Sequence, residues 1–376
     1  MPNTFRIITV FISLLLWLTG GCASDRPPSG GPLDRTSLQV VFSDPAPSAL
    51  NVSTDRILLT FNYALTGRQL LNALRFSPDV GGYDIAVSGK NAEIKFVEPF
   101  EKGRTYTLTL DKNLRDYQGR TFAAPYSLAF STGAIIDSGT IGGKILNRDN
   151  STAKNAIVLI YADNPAKPHG NNLLNEKPDY LLQASSSGVF AFNHIRAGSY
   201  RVIAVNDRNH DLRYNSKTEE IALCSAELVP TGSSSLLFRF PEPESNSGKP
   251  LPIPLNKLPR SAERGTISGK CFAKGAEVVV EAKSSDSNSS CSTMALRDKN
   301  GTFHYTLPDL PPGSYTLSAF IPSVKHKTEA YPQWNPGSIE PYQPAEPFGF
   351  FPEKVMVRAQ WTIENIDIRI MSLPLN

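Results

Sequence analysis

The sequence predicts an all-β chain of tandem β-sandwiches, and three observations carry that prediction. Thirty Pro and 26 Gly in 376 residues favour many turns over long helices. Short segments alternate apolar and polar residues with period two, as strands with one buried face do. A set of such segments also recurs in the same order further along the chain, which points to repeated modules. The length is that of two to four domains.

Composition removes one class of partner. The chain carries 38 basic and 35 acidic side chains, a net charge of +3. That near balance gives no electrostatic footprint for nucleic acid, so none is expected as a partner. A hydrophobic content of 40% is enough to build packed cores.

Residues 1–21 read as a targeting segment and stand outside the fold argument. Arg6 precedes an apolar run, Ile7 to Leu18, interrupted only by Thr9 and Ser13. Such a run falls short of the roughly 20 apolar residues that span a bilayer. It ends in Leu18-Thr19-Gly20-Gly21-Cys22. Small residues just before a Cys resemble the lipobox of bacterial lipoproteins, with Thr19 where Leu is usual. The resemblance implies cleavage before Cys22 and a diacylglycerol on its sulfur. It makes the protein exported and lipid-anchored to the cell envelope, with the membrane as a partner. Each buried methylene of an acyl chain contributes about 0.8 kcal/mol, and two or more chains hold firmly. Ala23 in place of Asp implies the outer membrane, by enterobacterial analogy. An ordinary signal peptide with an incidental Cys is the other reading.

Residues 22–36 are rich in Pro, Gly and Ser and form a flexible linker. The run Pro28-Ser29-Gly30-Gly31-Pro32-Leu33-Asp34 resembles the start of lipoproteins of the Bacteroidetes and Chlorobi groups, where it precedes an immunoglobulin-like domain.

Strand signals are dense over 37–134. They include Leu38 to Phe42, Arg56 to Phe61, Asp84 to Gly89, Ala92 to Phe96, Thr105 to Leu110 and Tyr126 to Thr132. About seven short strands with frequent turns predict an Ig-like sandwich. Pro45-x-Pro47, Asn51-Val52-x-Thr54, Phe100-Glu101-Lys102-Gly103, Asp116-x-x-Gly119 and Phe130-x-Thr132 resemble the bacterial Ig-like domain first described in S-layer proteins.

The repeat fills the remainder. Gly139-Thr140-Ile141-Gly142-Gly143 returns as Gly265-Thr266-Ile267-Ser268-Gly269. Gly188-Val189-Phe190 returns as Gly301-Thr302-Phe303, and Ala197-Gly198-Ser199-Tyr200 as Pro312-Gly313-Ser314-Tyr315. The pattern resembles the transthyretin-like sandwich of carboxypeptidase regulatory domains. It implies two copies, over 138–227 and 263–371, joined by a Pro-rich linker over 228–262. Leu236 to Phe240, inside that linker, is apolar enough to end the first copy instead.

Three Cys remain besides Cys22. A disulfide between Cys271 and Cys291 would close a loop of about 20 residues and contribute on the order of 3 kcal/mol. Cys224 is then an unpaired, buried small hydrophobe.

No catalysis is expected. The five histidines, His169, His194, His210, His304 and His326, form no HExxH pattern, and CxxC, Gly-x-Ser-x-Gly and phosphate-loop patterns are absent too. No cofactor is expected, with one candidate exception. Asp207, Asn209 and Asp211 alternate like the first half of a calcium loop, with Glu219 or Glu220 as a further ligand; turn preference explains the same residues. The second copy carries a long aromatic segment with Tyr331, Trp334, Tyr342 and Phe350. These rings can grip a protein or stack on sugar, or fold over the sandwich edge as a local core. The expected role is a non-enzymatic structural or binding module of the envelope, its partner an envelope protein or a glycan. The alternative is a carbohydrate-binding or envelope-processing accessory factor using the segment around Trp334.

Overall fold

The computed structural model describes residues 36–154, 156–164, 173–209, 212–241, 253–254, 263–287, 289–323 and 333–371. The targeting segment, Cys22, most of the linker behind it, Asp211 and Tyr331 lie outside the described residues.

Period-two alternation produces the strands. The first module holds β1 (Val40–Asp44), β2 (Arg56–Phe61), β3 (Leu74–Ser77), β4 (Tyr83–Ser88), β5 (Asn91–Phe96), β6 (Thr105–Leu110) and β7 (Tyr126–Ser131). They form two sheets, β1-β2-β5-β4 and β3-β6-β7. Ile57, Leu59 and Phe61 of β2 meet Leu108, Leu128 and Phe130 from the other sheet in one core. A short helix, α1 (Gly67–Ala73), interrupts the strand pattern. Thr66 caps it: its hydroxyl accepts from the Gln69 N–H at 3.2 Å, and the Gln69 side chain accepts from the Thr66 N–H at 3.1 Å. This reciprocal pair satisfies two amides that a helix start leaves open.

The Asp116-x-x-Gly119 turn is held by a buried carboxylate. Asp116 accepts from the N–H groups of Gln118 and Arg120, both at 2.8 Å, and from Arg120 Nε at 2.9 Å. The Arg120 guanidinium also lies 3.6 Å from the Tyr63 ring centroid.

The second module holds β8 (Gly139–Leu146), β9 (Ile157–Ala162), β10 (Tyr180–Gln183), β11 (Val189–Ile195), β12 (Ser199–Val205), β13 (Ile221–Leu223), β14 (Val229–Pro230) and β15 (Ser233–Arg239). One sheet runs β10-β9-β12-β13 with β14 also on β12; the other runs β11-β8-β15. The third module follows the same plan. It comprises β16 (Ile253–Pro254), β17 (Gly265–Phe272), β18 (Val279–Ser284), β19 (Ser289–Met294), β20 (Leu296–Arg297), β21 (Phe303–Leu310) and β22 (Gly313–Phe320). It continues through β23 (Ser338–Ile339), β24 (Tyr342–Gln343), β25 (Phe348–Phe350), β26 (Val355–Val357), β27 (Thr362–Ile363) and β28 (Ile368–Arg369). Its sheets are β16-β19-β18-β22-β25 and β20-β21-β17-β27, with β26 on β22 and β28 on β17.

Register shows that the repeat is structural. Tyr200 of β12 pairs with Val229, and Tyr315 of β22 pairs with Val355. Both tyrosine hydroxyls donate to the carbonyl four residues upstream, Tyr200 to Arg196 at 2.6 Å and Tyr315 to Pro311 at 2.9 Å. In each copy a closing strand runs parallel to the opening one, β15 along β8 and β27 with β28 along β17. The last glycine of the opening motif is explained by that closing strand. A Cβ on Gly143 would run into the Leu236 carbonyl, and one on Gly269 into the Ile366 carbonyl.

This closing strand corrects the expected boundary at 227 and shortens the expected linker over 228–262. Val229, Leu236, Phe238 and Phe240 are buried in the core of the second module. The backbone edge of β8 needs a partner, and the apolar run after Gly232 supplies it. Ile253–Pro254 pairs with β19 and so belongs to the third module.

Candidate functional site

The aromatic segment of the third module packs against the second. The Arg239 guanidinium, on β15 and itself buried, sits 4.1 Å from the Trp334 ring centroid and 4.6 Å from that of Phe348. Trp334 meets Phe348 edge to face at 5.3 Å, and its Nε1–H donates to the Glu346 carbonyl at 2.9 Å. Leu146 and Leu237 of the second module share a cluster with Val279, Phe320, Phe348 and Phe350 of the third. Tyr342 and Ala345 lie over the outer face of the β9–β12–β13 sheet, with Leu159, Ile203 and Leu223. The Ala345 N–H donates to the Cys224 carbonyl at 3.1 Å, and Arg201 stands 5.3 Å from the Tyr342 ring.

Glu346 organises this brace. Its carboxylate is 5% exposed and accepts from the N–H groups of Asn335, at 2.9 Å, and Ser323. The two ends of the segment between Ser323 and Asn335 are thereby held by one side chain. Burial raises the pKa of the Tyr342 phenol strongly, and nearby Cys224 adds to the rise.

Of the two expectations for these rings, the contacts bear out the local core and correct the displayed binding loop. Trp334, Tyr342 and Phe350 are half-buried and fill the junction between two sandwiches. The physical reason is area: an apolar sheet face on the second module would otherwise meet water, and the rings remove it at about 25 cal/mol per Å2. Large rings that do face solvent among the described residues include Tyr117, 68% exposed, and Trp361, 61% exposed, with Arg358 5.6 Å from the Trp361 centroid.

The first and second modules meet through a polar junction. Arg104 donates to the Asp179 carbonyl at 3.0 Å and stands 5.3 Å from the Tyr180 ring. Arg196 donates to the Gly103 carbonyl at 2.6 Å, and His194 Nδ1 lies 3.2 Å from the Asp137 carbonyl. Lys177 pairs with Asp79 at 3.1 Å. The strand pattern shows where these residues fall, but nothing in their sequence neighbourhood marks them as joining two modules.

Three carboxylates of the candidate calcium turn, Asp207, Glu219 and Glu220, bond groups of the protein. Asp207, 2% exposed, accepts from the Leu212 N–H at 3.1 Å through one oxygen. Glu219 accepts from the N–H groups of Asn215 at 2.9 Å and Arg208 at 3.2 Å. Glu220 takes Arg148, Arg208 at 2.7 Å and the Asn206 amide at 2.9 Å. These carboxylates are engaged in shaping the connection between β12 and β13. Among the described residues no group of three or more His, Cys, Asp and Glu is arranged to hold a metal ion. Asp211 lies outside the described residues, and Asn209 is exposed.

Cys224, Cys271 and Cys291 are free thiols, which corrects the expected Cys271–Cys291 bridge. Cys271 is on β17 and Cys291 on β19, in the two facing sheets. Packed sheets stand about 10 Å apart, whereas a disulfide needs Cα atoms within about 7 Å. Burial pushes the Cys224 thiol up to about 11 and the Cys271 thiol up to about 12. Both therefore stay protonated at pH 8 and are expected to resist a thiolate-selective alkylating reagent until the chain unfolds. Mass spectrometry of labelled native protein checks this, and rapid labelling of both would contradict it. Because folding raises these pKa values above the unfolded value of 9.0, their contribution to stability is complete below pH 9 and lost as the pH climbs through 11 to 12.

Sandwiches joined by packed junctions define a multi-module β protein. Residues 34–132 match the family model of a bacterial Ig-like domain. Several solved structures are similar. The N-terminal part of the bacterial S-layer protein SbsC shares 14% identity over 54% of this chain and 42% of that one, with a TM-score of 0.20. An L,D-transpeptidase from Mycobacterium smegmatis shares 16% over 36% of this chain and 58% of that one, at 0.20. A streptococcal ancillary pilin shares 8% over 77% of this chain and 81% of that one, at 0.16. The chain spans about half the length of the first two. TM-scores this low say nothing of shared function. No curated protein matches the chain. Among the described residues no helix is long and apolar enough to cross a membrane.

Proposed function

We propose that this chain is a non-enzymatic lipoprotein of the bacterial cell envelope, attached through Cys22 and acting as a spacer and binding platform. The Ig-like module would be followed by two transthyretin-like modules. The observation that carries the reading is the brace of Arg239, Trp334 and Phe348, which commits the chain's most aromatic segment to joining modules. A bacterial Ig-like domain at 34–132 supports an envelope setting. Repeated sandwiches are stiff, and their end loops and open edges are free for recognition.

Metabolic labelling with a palmitate analogue tests the anchor. The wild-type chain is expected to incorporate label and to pellet with outer membranes, whereas Cys22→Ser is expected to lose both. Equal labelling of the two would remove the lipid anchor from this reading.

A further inference from the structure

A cleft of about 1110 Å3 lies between the first and second modules. That is at or above the upper end for small-molecule sites, about 300–1,000 Å3. Its walls include Phe76, Tyr83, Leu159, Tyr161, Leu174 and Tyr214. Leu181, Leu182, Gln183, Ala184 and Ser185 all line it in unbroken succession. Successive strand residues point to opposite faces, so only a strand edge presents consecutive residues to one space. β10 is the terminal strand of its sheet, paired only with β9 among the described residues.

The ladder shows which backbone groups are open. Ala184 N–H donates to the Ala156 carbonyl at 2.7 Å, and the register pairs Leu182 with Val158 and Tyr180 with Ile160. Antiparallel bonding alternates, so these three residues bond inward to β9. Leu181 and Gln183 then carry their N–H and C=O outward into the cleft. Across the cleft, β3 is closed at Leu74. The Leu74 N–H donates to the Leu70 carbonyl, and the Leu74 carbonyl accepts from Arg75 at 2.6 Å.

We infer that β10 receives an extended peptide segment of a partner protein, added as a further strand of the β10-β9-β12-β13 sheet. A backbone is the ligand that supplies N–H and C=O at the repeat Leu181 and Gln183 require. Its alternate side chains would lie over Leu159, Tyr161 and Tyr214 on one face and toward Val189 on the other. Charge fixes the rest of the chemistry. Arg75, Lys177 and Arg213 are balanced by Asp79, Asp111 and Glu176 along the lining, so the segment is uncharged with apolar residues at every second position. The site does not depend on Cys22, so loss of the anchor and loss of peptide binding are separate results.

A displayed library of random decapeptides, selected on the purified chain, tests this. The expected outcome is enrichment of uncharged sequences with alternating apolar residues. Binding of a synthetic winner should fall at least tenfold with Leu181→Pro, which removes one outward N–H and no ladder bond. It should fall as much when the peptide is N-methylated at alternate residues, a change that leaves the protein untouched. Leu181→Val keeps the backbone and should bind within about threefold. No enrichment overturns the inference, as does binding indifferent to both the Pro variant and N-methylation. A dimer in sedimentation that Leu181→Pro dissolves would assign the edge to a second copy and overturn the peptide reading.

Discussion

Trp334→Ala is expected to destabilise the chain by about 3 kcal/mol, at the low end for removing a large ring because Trp334 is half-buried. The change removes the ring between Arg239 and Phe348 and the donor to the Glu346 carbonyl. It takes from the buried Arg239 the nearer of its two aromatic neighbours and leaves Phe348, which adds to the cost. Trp334→Phe keeps a ring and loses the Nε1 donor, so it should cost nearer 1 kcal/mol. Guanidinium denaturation of both variants gives the comparison. Equal losses would place the energy in the hydrogen bond, against the packing described here.

Gly269→Ala is expected to cost about 3 kcal/mol, and Gly143→Ala a similar amount in the second module. The added methyl meets the Leu236 carbonyl of β15 at 143 and, at 269, the Ile366 carbonyl between β27 and β28; each is backbone and has no rotamer by which to yield. Gly198 makes the control. A Cβ there has Tyr200 Cε2 at 3.9 Å as its nearest neighbour, and Gly198→Ala should change stability by less than about 0.5 kcal/mol. Matched penalties at 143 and 269, with none at 198, would tie the repeated motif to the closing strand. A mild effect at 269 would separate the motif from that explanation.

The sequence carried the strands and the repeat because both are local signals. Alternation in Thr105 to Leu110 needs only its own residues to be read. Helix α1 was not anticipated: Thr66-x-x-Gln69 has the spacing of a capping box, but its single apolar turn is brief beside the strands around it. The closing strand β15 was harder, since a parallel strand that pairs with residues some ninety positions earlier leaves no local mark of its partner. Rings in a Pro-rich segment give the same pattern whether they face water or another module. What decided between these was Arg239 and the outer face of the β9–β12–β13 sheet, both remote in sequence from Trp334. The candidate calcium turn carries the same ambiguity. Alternating Asp and Asn report a turn, but whether the oxygens converge on an ion or on backbone N–H groups depends on the fold around them, and Asp207 and Glu219 bond backbone amides.

Differential scanning calorimetry of the intact, detergent-solubilised protein tests most directly whether the aromatic segment welds the second and third modules together. The account predicts that these two modules melt in one shared transition, and that Trp334→Ala divides it into two. Two separate transitions in the wild type, unmoved by Trp334→Ala, would contradict it.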